Sequence, residues 1–220
     1  MSIEKQRMKC RKKFLYYFRG GFYGEKYISW ERDYKWQAHL TWKELLNKKT
    51  LTELLGTKEF DEIAARAVRI ESRTNLLFSF EKMALRDAVK TGIGAQLFSE
   101  GLFTLIYGKQ KLQARFENFR DTLATLPRKQ TRVLTWPLQT VFGFIGDPET
   151  HIFLKPRVTM AAAEKYGFPF QYKSGPSWET YKSFLDFAAQ IKKDIADLKP
   201  RDMIDIQSFI WVLGSEEYPD

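Results

Sequence analysis

One cysteine, Cys10, and two histidines, His39 and His151, are the only thiol or imidazole ligands that the 220 residues offer. A lone thiol forms no intrachain disulfide, and so few ligands build neither a Cys/His zinc cluster nor a four-cysteine iron–sulfur centre. The expectation is therefore a protein with no metal and no small-molecule cofactor, whose chemistry falls to Lys, Arg, Asp, Glu, Tyr or water. Long apolar runs are missing as well. None approaches the ~18 to 20 residues of a spanning helix, and the N-terminus lacks the uninterrupted apolar core of a signal peptide, so a soluble, cytoplasmic protein with no membrane partner is expected. There is no internal repeat, no low-complexity segment and no sustained period-two alternation, which leaves little room for a sheet.

What is present is a strongly apolar and basic chain. Hydrophobic residues make up 44% and aromatics 15%, with 18 Phe and 6 Trp, far above what a disordered chain carries. Thirty-six Lys plus Arg against 27 Asp plus Glu leave a formal charge of +9, which favours polyanionic partners. Nucleic acid is the leading candidate, and an acidic membrane surface the competing one.

The periodicity is helical almost throughout. Residues 3–18 are basic with an aromatic patch, and Gly20-Gly21 ends them. In residues 25–47, Trp30, Tyr34 and Trp42 stand among charges, either as core or as a surface on which bases stack. Residues 58–90 contain no Pro or Gly and keep an apolar 3.6-residue repeat, which predicts one long helix or two joined end to end. Along it Glu71, Asn75, Phe78 and Lys82 fall at helical spacings, as a solvated face or as a polar cluster lining a cleft. Gly92, Gly94 and Gly101 mark a loose region, and residues 111–126 return to helix. A helix from Pro137 to Gly146, a GDPET turn, a helix started by Pro156 and ended by Gly167, a helix capped by Ser177, and a buried closing segment, RDMIDIQSFIWVLG, complete the chain. The fold class expected is an all-α globule of eight to ten helices. It forms a single domain, or two lobes in which residues 1–50 and 160–220 pack on 51–159.

Residues 126–158 are an apolar stretch between two basic clusters: Arg128, Lys129 and Arg132 before it, Lys155 and Arg157 after it. The pattern L-x-x-L-P-x-x-x-T-R-V, followed by an apolar helix and a short loop, resembles the core of the helix-hairpin-helix DNA glycosylase superfamily. That resemblance implies a helix-hairpin-helix-like core that grips DNA phosphates and a cleft into which a base is flipped. Leu126-Pro127 then match the start of the hairpin, Thr131-Arg132 the position where lyase members carry a lysine, and Lys155 the place of the catalytic aspartate. The hairpin glycines are replaced by Arg128, Lys129 and Gln130, so phosphate contact passes to side chains. HIFLKPRV, TYKSFLDFA and DIQSFIW are also similar to segments of helical modules in modification-dependent anti-phage defence systems.

These readings assign Arg128, Lys129, Arg132 and Arg157 to DNA binding. Asn75, Phe78, Trp30, Trp42 and Trp136 are assigned to a base pocket, and Lys155, Asp205 and Glu71 to catalysis. Lys155 precedes a helix N-terminus beside Arg157, two influences that favour its neutral, nucleophilic form, although a phosphate clamp is the other role open to it. Asp205 stands in an apolar run where an unpaired carboxylate would be costly, as an acid or as a helix cap; Glu81, Asp147 and Asp202 are further candidate acids. The expected function is excision of a flipped, modified base, of the kind invading phage DNA carries, leaving an abasic site. A non-catalytic reader of modified or single-stranded nucleic acid and a helical protein-interaction scaffold are the alternatives.

Overall fold

The computed structural model describes residues 2–220. Among them it contains eleven α-helices and no strand. In chain order these are α1 (Ile3–Tyr17), α2 (Asp33–Leu45), α3 (Lys48–Gly56), α4 (Phe60–Ser72), α5 (Ser79–Val89) and α6 (Gly92–Tyr107). They continue with α7 (Leu112–Thr125), α8 (Trp136–Gly146), α9 (Pro156–Tyr166), α10 (Trp178–Asp194) and α11 (Met203–Gly214). A helical turn at Glu25–Tyr27 and a π turn at Ile28–Arg32 lead without a break into α2.

Local chemistry explains most of the boundaries. Side chains of Thr91, Thr135, Ser177 and Asp202 accept the orphan N–H groups that open α6, α8, α10 and α11, each such cap contributing ~1 kcal/mol. Gly167 closes α9 in the left-handed region at φ 70°, where a Cβ would be strained. The cap of α11 is Asp202, not Asp205. The apolar repeat of residues 58–90 is interrupted, because residues 73–78 form a connection between α4 and α5. Asn75 and Phe78 therefore leave the helical face that their spacing predicts. The glycine-marked region also differs from expectation, being the sixteen-residue helix α6, one helix more than the pattern suggests. Gly101 serves packing: a Cβ there would lie 2.6 Å from Thr122 Oγ1 of α7.

Two apolar clusters make up the core. One gathers side chains of α2 to α6 with most of α8, around Trp42, Phe98, Leu102 and Phe142. The other gathers α1, Tyr27, α9, α10 and α11 around Phe14, Phe22, Tyr181 and Phe209. The division differs in detail from a split at residues 50 and 160: α2 sends Trp42 into the first cluster, while Phe116, Trp136, Ile152 and Leu154 join the second. Helix α8 is buried from Trp136 to Ile145, Gln139 and Thr140 included. The run His151–Lys155 leaves it extended and unpaired with any strand. Two of its backbone donors go to side chains instead, Ile152 N–H to Tyr181 Oη at 3.2 Å and Leu154 N–H to Thr140 Oγ1 at 3.0 Å.

Because Thr122 is β-branched and fixed on a helix, it has little room to yield to a methyl group. Gly101→Ala is expected to lower stability in urea unfolding by ~1 to 3 kcal/mol, and Thr122→Ala is expected to relieve most of that loss. Simple additivity of the two changes would mean that α6 and α7 do not meet there.

Candidate functional site

A cleft of about 1190 Å³ opens where the two apolar clusters meet. One wall is the π turn and the start of α2, with Trp30, Glu31, Tyr34 and Lys35. A second comes from the connection into α5, with Asn75, Phe78, Phe80 and Glu81. The starts of α8 and α9 add Trp136 and Lys155, and α11 adds Gln207 and Trp211. π turns interrupt the regular ladder and re-aim side chains; here one sends the Trp30 ring outward while its neighbour Glu31 is buried.

Three large aromatic side chains on this cleft remain more than half exposed: Trp30 at 57%, Phe78 at 53% and Phe80 at 51%. Phe78 and Phe80 are stacked, with centroids 5.6 Å apart and planes 14° off parallel. Exposed rings gathered at one concave site form a surface on which another flat ring can stack.

The charges have an order of their own. Three helices begin at the cleft, α5 after Phe78, α8 after Thr135 and α9 after Lys155, so the positive ends of three backbone dipoles converge there. Glu81 is the internal counter-charge: its carboxylate accepts the Phe78 N–H at 3.1 Å and the Thr135 hydroxyl at 2.9 Å. Deeper in, Lys35 donates to Glu31 at 3.1 Å and to Ser208 Oγ at 2.8 Å, and the Tyr218 hydroxyl donates to Glu31 at 2.6 Å. Burial opposes charge on Lys35, but Tyr34 and Glu31 outweigh it and raise its pKa.

Lys155 is the half-buried N-cap of α9, with its amine 4.3 Å from the Phe78 ring centre and 5.1 Å from that of Trp211. Burial lowers its pKa; Glu81 and Glu217 act in the opposite sense, and Lys35 adds to the lowering. The desolvation follows from the extended run that carries Lys155 inward, a cause that the sequence pattern alone does not disclose.

Of the residues singled out from sequence, the cleft brings together Lys155, Arg132, Arg157, Asn75, Phe78, Trp30 and Trp136. Arg128 and Lys129 stand outside it, exposed on the linker of residues 126–135 that carries Arg132 to its edge. Three assignments need correction. Trp42 has no exposed surface and packs in the first apolar cluster, its Nε1–H donated to the Tyr107 hydroxyl at 3.2 Å. Glu71 is buried against Thr74 and Lys82, the Lys82 amine 3.5 Å away, and does not line the cleft.

Asp205 is also buried and away from the cleft. It accepts from the Tyr27 hydroxyl at 2.7 Å, from Arg32 at 2.8 Å, and from the Arg201 N–H and guanidinium at 2.8 and 2.9 Å. Arg32 also forks onto both oxygens of Asp202, at 2.9 and 2.7 Å. Sequence reasoning passed over Phe80, Gln207, Trp211 and Tyr218 as site residues; Gln207 alone carried a signal, an amide inside the apolar run IDIQSFIWV.

Among the described residues, no three His, Cys, Asp or Glu side chains gather where they could hold a metal ion, and no helix is long and apolar enough to cross a membrane. No protein-family model, curated protein or solved structure matches the chain.

Removing the Asp205 carboxylate leaves Arg32 and Arg201 short of a buried partner. Asp205→Ala is expected to cost ~3 to 5 kcal/mol in thermal or chemical unfolding. An unchanged unfolding midpoint would show that the carboxylate does not hold the ion cluster together.

Proposed function

We propose that the cleft receives a base turned out of DNA and that the protein cuts the bond between that base and its sugar. The observation that carries this reading is the position of Lys155: a half-buried amine in a cleft that also holds three exposed aromatic rings. Stacking captures a base without regard to sequence. Arg132, Arg157 and the three helix starts favour the phosphates on either side. The resemblance of residues 126–158 to the helix-hairpin-helix glycosylases supports the same reading, with α7, the linker and α8 in the place of the hairpin unit and Lys155 in that of the aspartate.

In this reaction the neutral Lys155 amine attacks C1′ of the sugar. A carbon–nitrogen bond forms to lysine as the bond to the base breaks, and the departing base takes up the proton that the attacking nitrogen sheds. Opening of the sugar ring gives a Schiff base, which water hydrolyses to an abasic site and free lysine. Positive charge that develops at C1′ is offset by Glu81 and Glu217, the two carboxylates that act electrostatically on Lys155.

A second reading, capture without excision, is favoured by the two rings beside the Lys155 amine, because cation–π contact stabilises the charged, non-nucleophilic form. Borohydride separates the two. Excision through Lys155 gives a trapped protein–DNA adduct that Lys155→Ala abolishes, while DNA affinity stays within about tenfold, ~1.4 kcal/mol. Capture alone gives no adduct, and base release without an adduct would remove the Schiff-base role.

The basic residues carry a separate expectation. Duplex affinity should fall steeply with salt, and replacing Arg128, Lys129 and Arg132 together should flatten the slope by up to about three, one per lost phosphate contact. Affinity that is flat between low and moderate salt would remove DNA as the partner.

A further inference from the structure

Several polar groups beside the α11 side of the cleft are paired. Ser208 Oγ accepts from Lys35, Trp211 donates to Glu217 at 3.1 Å, and Tyr218 donates to Glu31. Gln207 lines the cleft at 4% exposure, and its Oε1 is buried with no hydrogen-bond partner. A buried carbonyl left without a donor is destabilising in the free protein; the oxygen is closed off from the cleft as it stands, so a ligand brings the missing partner as the Gln207 side chain turns toward it.

Its neighbours restrict what that ligand is. Gln207 precedes Trp211 by one helical turn, so the amide and the indole serve the same occupant. A primary amide offers an acceptor and donors side by side, whereas a charged lysine only donates and an ionised carboxylate only accepts. The rim of a nucleobase presents the matching pair, a donor beside an acceptor. We infer that Gln207 selects the captured base, hydrogen bonding through its amide to the polar edge of a base held against the rings. This rests on the cleft being a base-capture site and adds a class of ligand to it: nucleobases with an intact donor–acceptor edge, as opposed to any flat ring.

The test uses the full chain and DNA duplexes that carry, at one unpaired position, each natural base in turn, the apolar difluorotoluene isostere of thymine, or an abasic sugar. Sites built to hydrogen bond a ligand discriminate strongly against analogues that lack the bonding groups. The wild-type protein is expected to bind its preferred natural base at least ~tenfold more tightly than the isostere. Gln207→Met, of similar length and without hydrogen-bonding groups, should bind that base and the isostere alike while melting at the same or a higher temperature, since an unpaired buried group is gone.

If the wild type treats base and isostere alike yet binds the abasic duplex more weakly, stacking alone holds the base and the role of Gln207 is overturned while the capture site stands. If the abasic duplex binds as well as every other, the capture site itself falls, and this inference with it. A Gln207→Met protein that melts well below the wild type, or that keeps the discrimination, assigns Gln207 a structural role instead; Gln207→Glu then serves as the second variant, and retained discrimination there too overturns the selection.

Discussion

The guanidinium of Arg32 is the point on which the site depends. It joins the last residue of the π turn to Asp202 and Asp205 at the start of α11. One cleft wall hangs on each side of that ion cluster, Trp30 and Glu31 on the first and Gln207 and Trp211 on the second. Desolvating three charges consumes most of what their attraction returns, so the cluster adds little net stability. Each member is nonetheless indispensable once the others are buried. What the cluster supplies is therefore position: it ties two chain segments about 170 residues apart in sequence into one geometry. A fully apolar contact of the same volume would let α11 slide or rotate relative to the π turn far more cheaply.

The cleft lies along the seam of two apolar clusters and not inside either of them. Three helices begin at this seam, so the positive ends of their backbone dipoles gather there. Glu81 offsets part of that charge from within, holding the starts of α5 and α8 together through one carboxylate. Lys155 enters the same field on an extended strand of chain whose backbone is satisfied by Tyr181 and Thr140, so its place is set by the core beneath it.

Much of the helical layout was legible because it follows from local rules. Ser177, Gly167 and Pro156 mark their helix ends through caps, left-handed backbone and a missing N–H, none of which needs a distant partner. Gly101 was misleading because glycine serves both as a breaker and as a close-packing residue, and only the position of Thr122 decides between the two. The site was legible in part. Helical spacing predicted that Glu71 and Lys82 lie together, and they do, although through a bent connection that turns Asn75 and Phe78 toward the cleft. Trp30 and Trp42 look alike in sequence, since nothing in ISWER announces a π turn. The acid at 205 signalled that it needed a partner, yet Arg32 is too far away in sequence for any local pattern to name it.

The distribution of indoles gives the protein a built-in optical reporter. Three of its six tryptophans, Trp30, Trp136 and Trp211, line the cleft, and Trp42 is sealed in the core. Indole emission depends on the polarity and the stacking partners of its surroundings. An aromatic occupant therefore perturbs the exposed Trp30 and the half-buried Trp211 and leaves Trp42 as a steady background, so occupancy of the cleft can be followed by intrinsic fluorescence without attaching a dye.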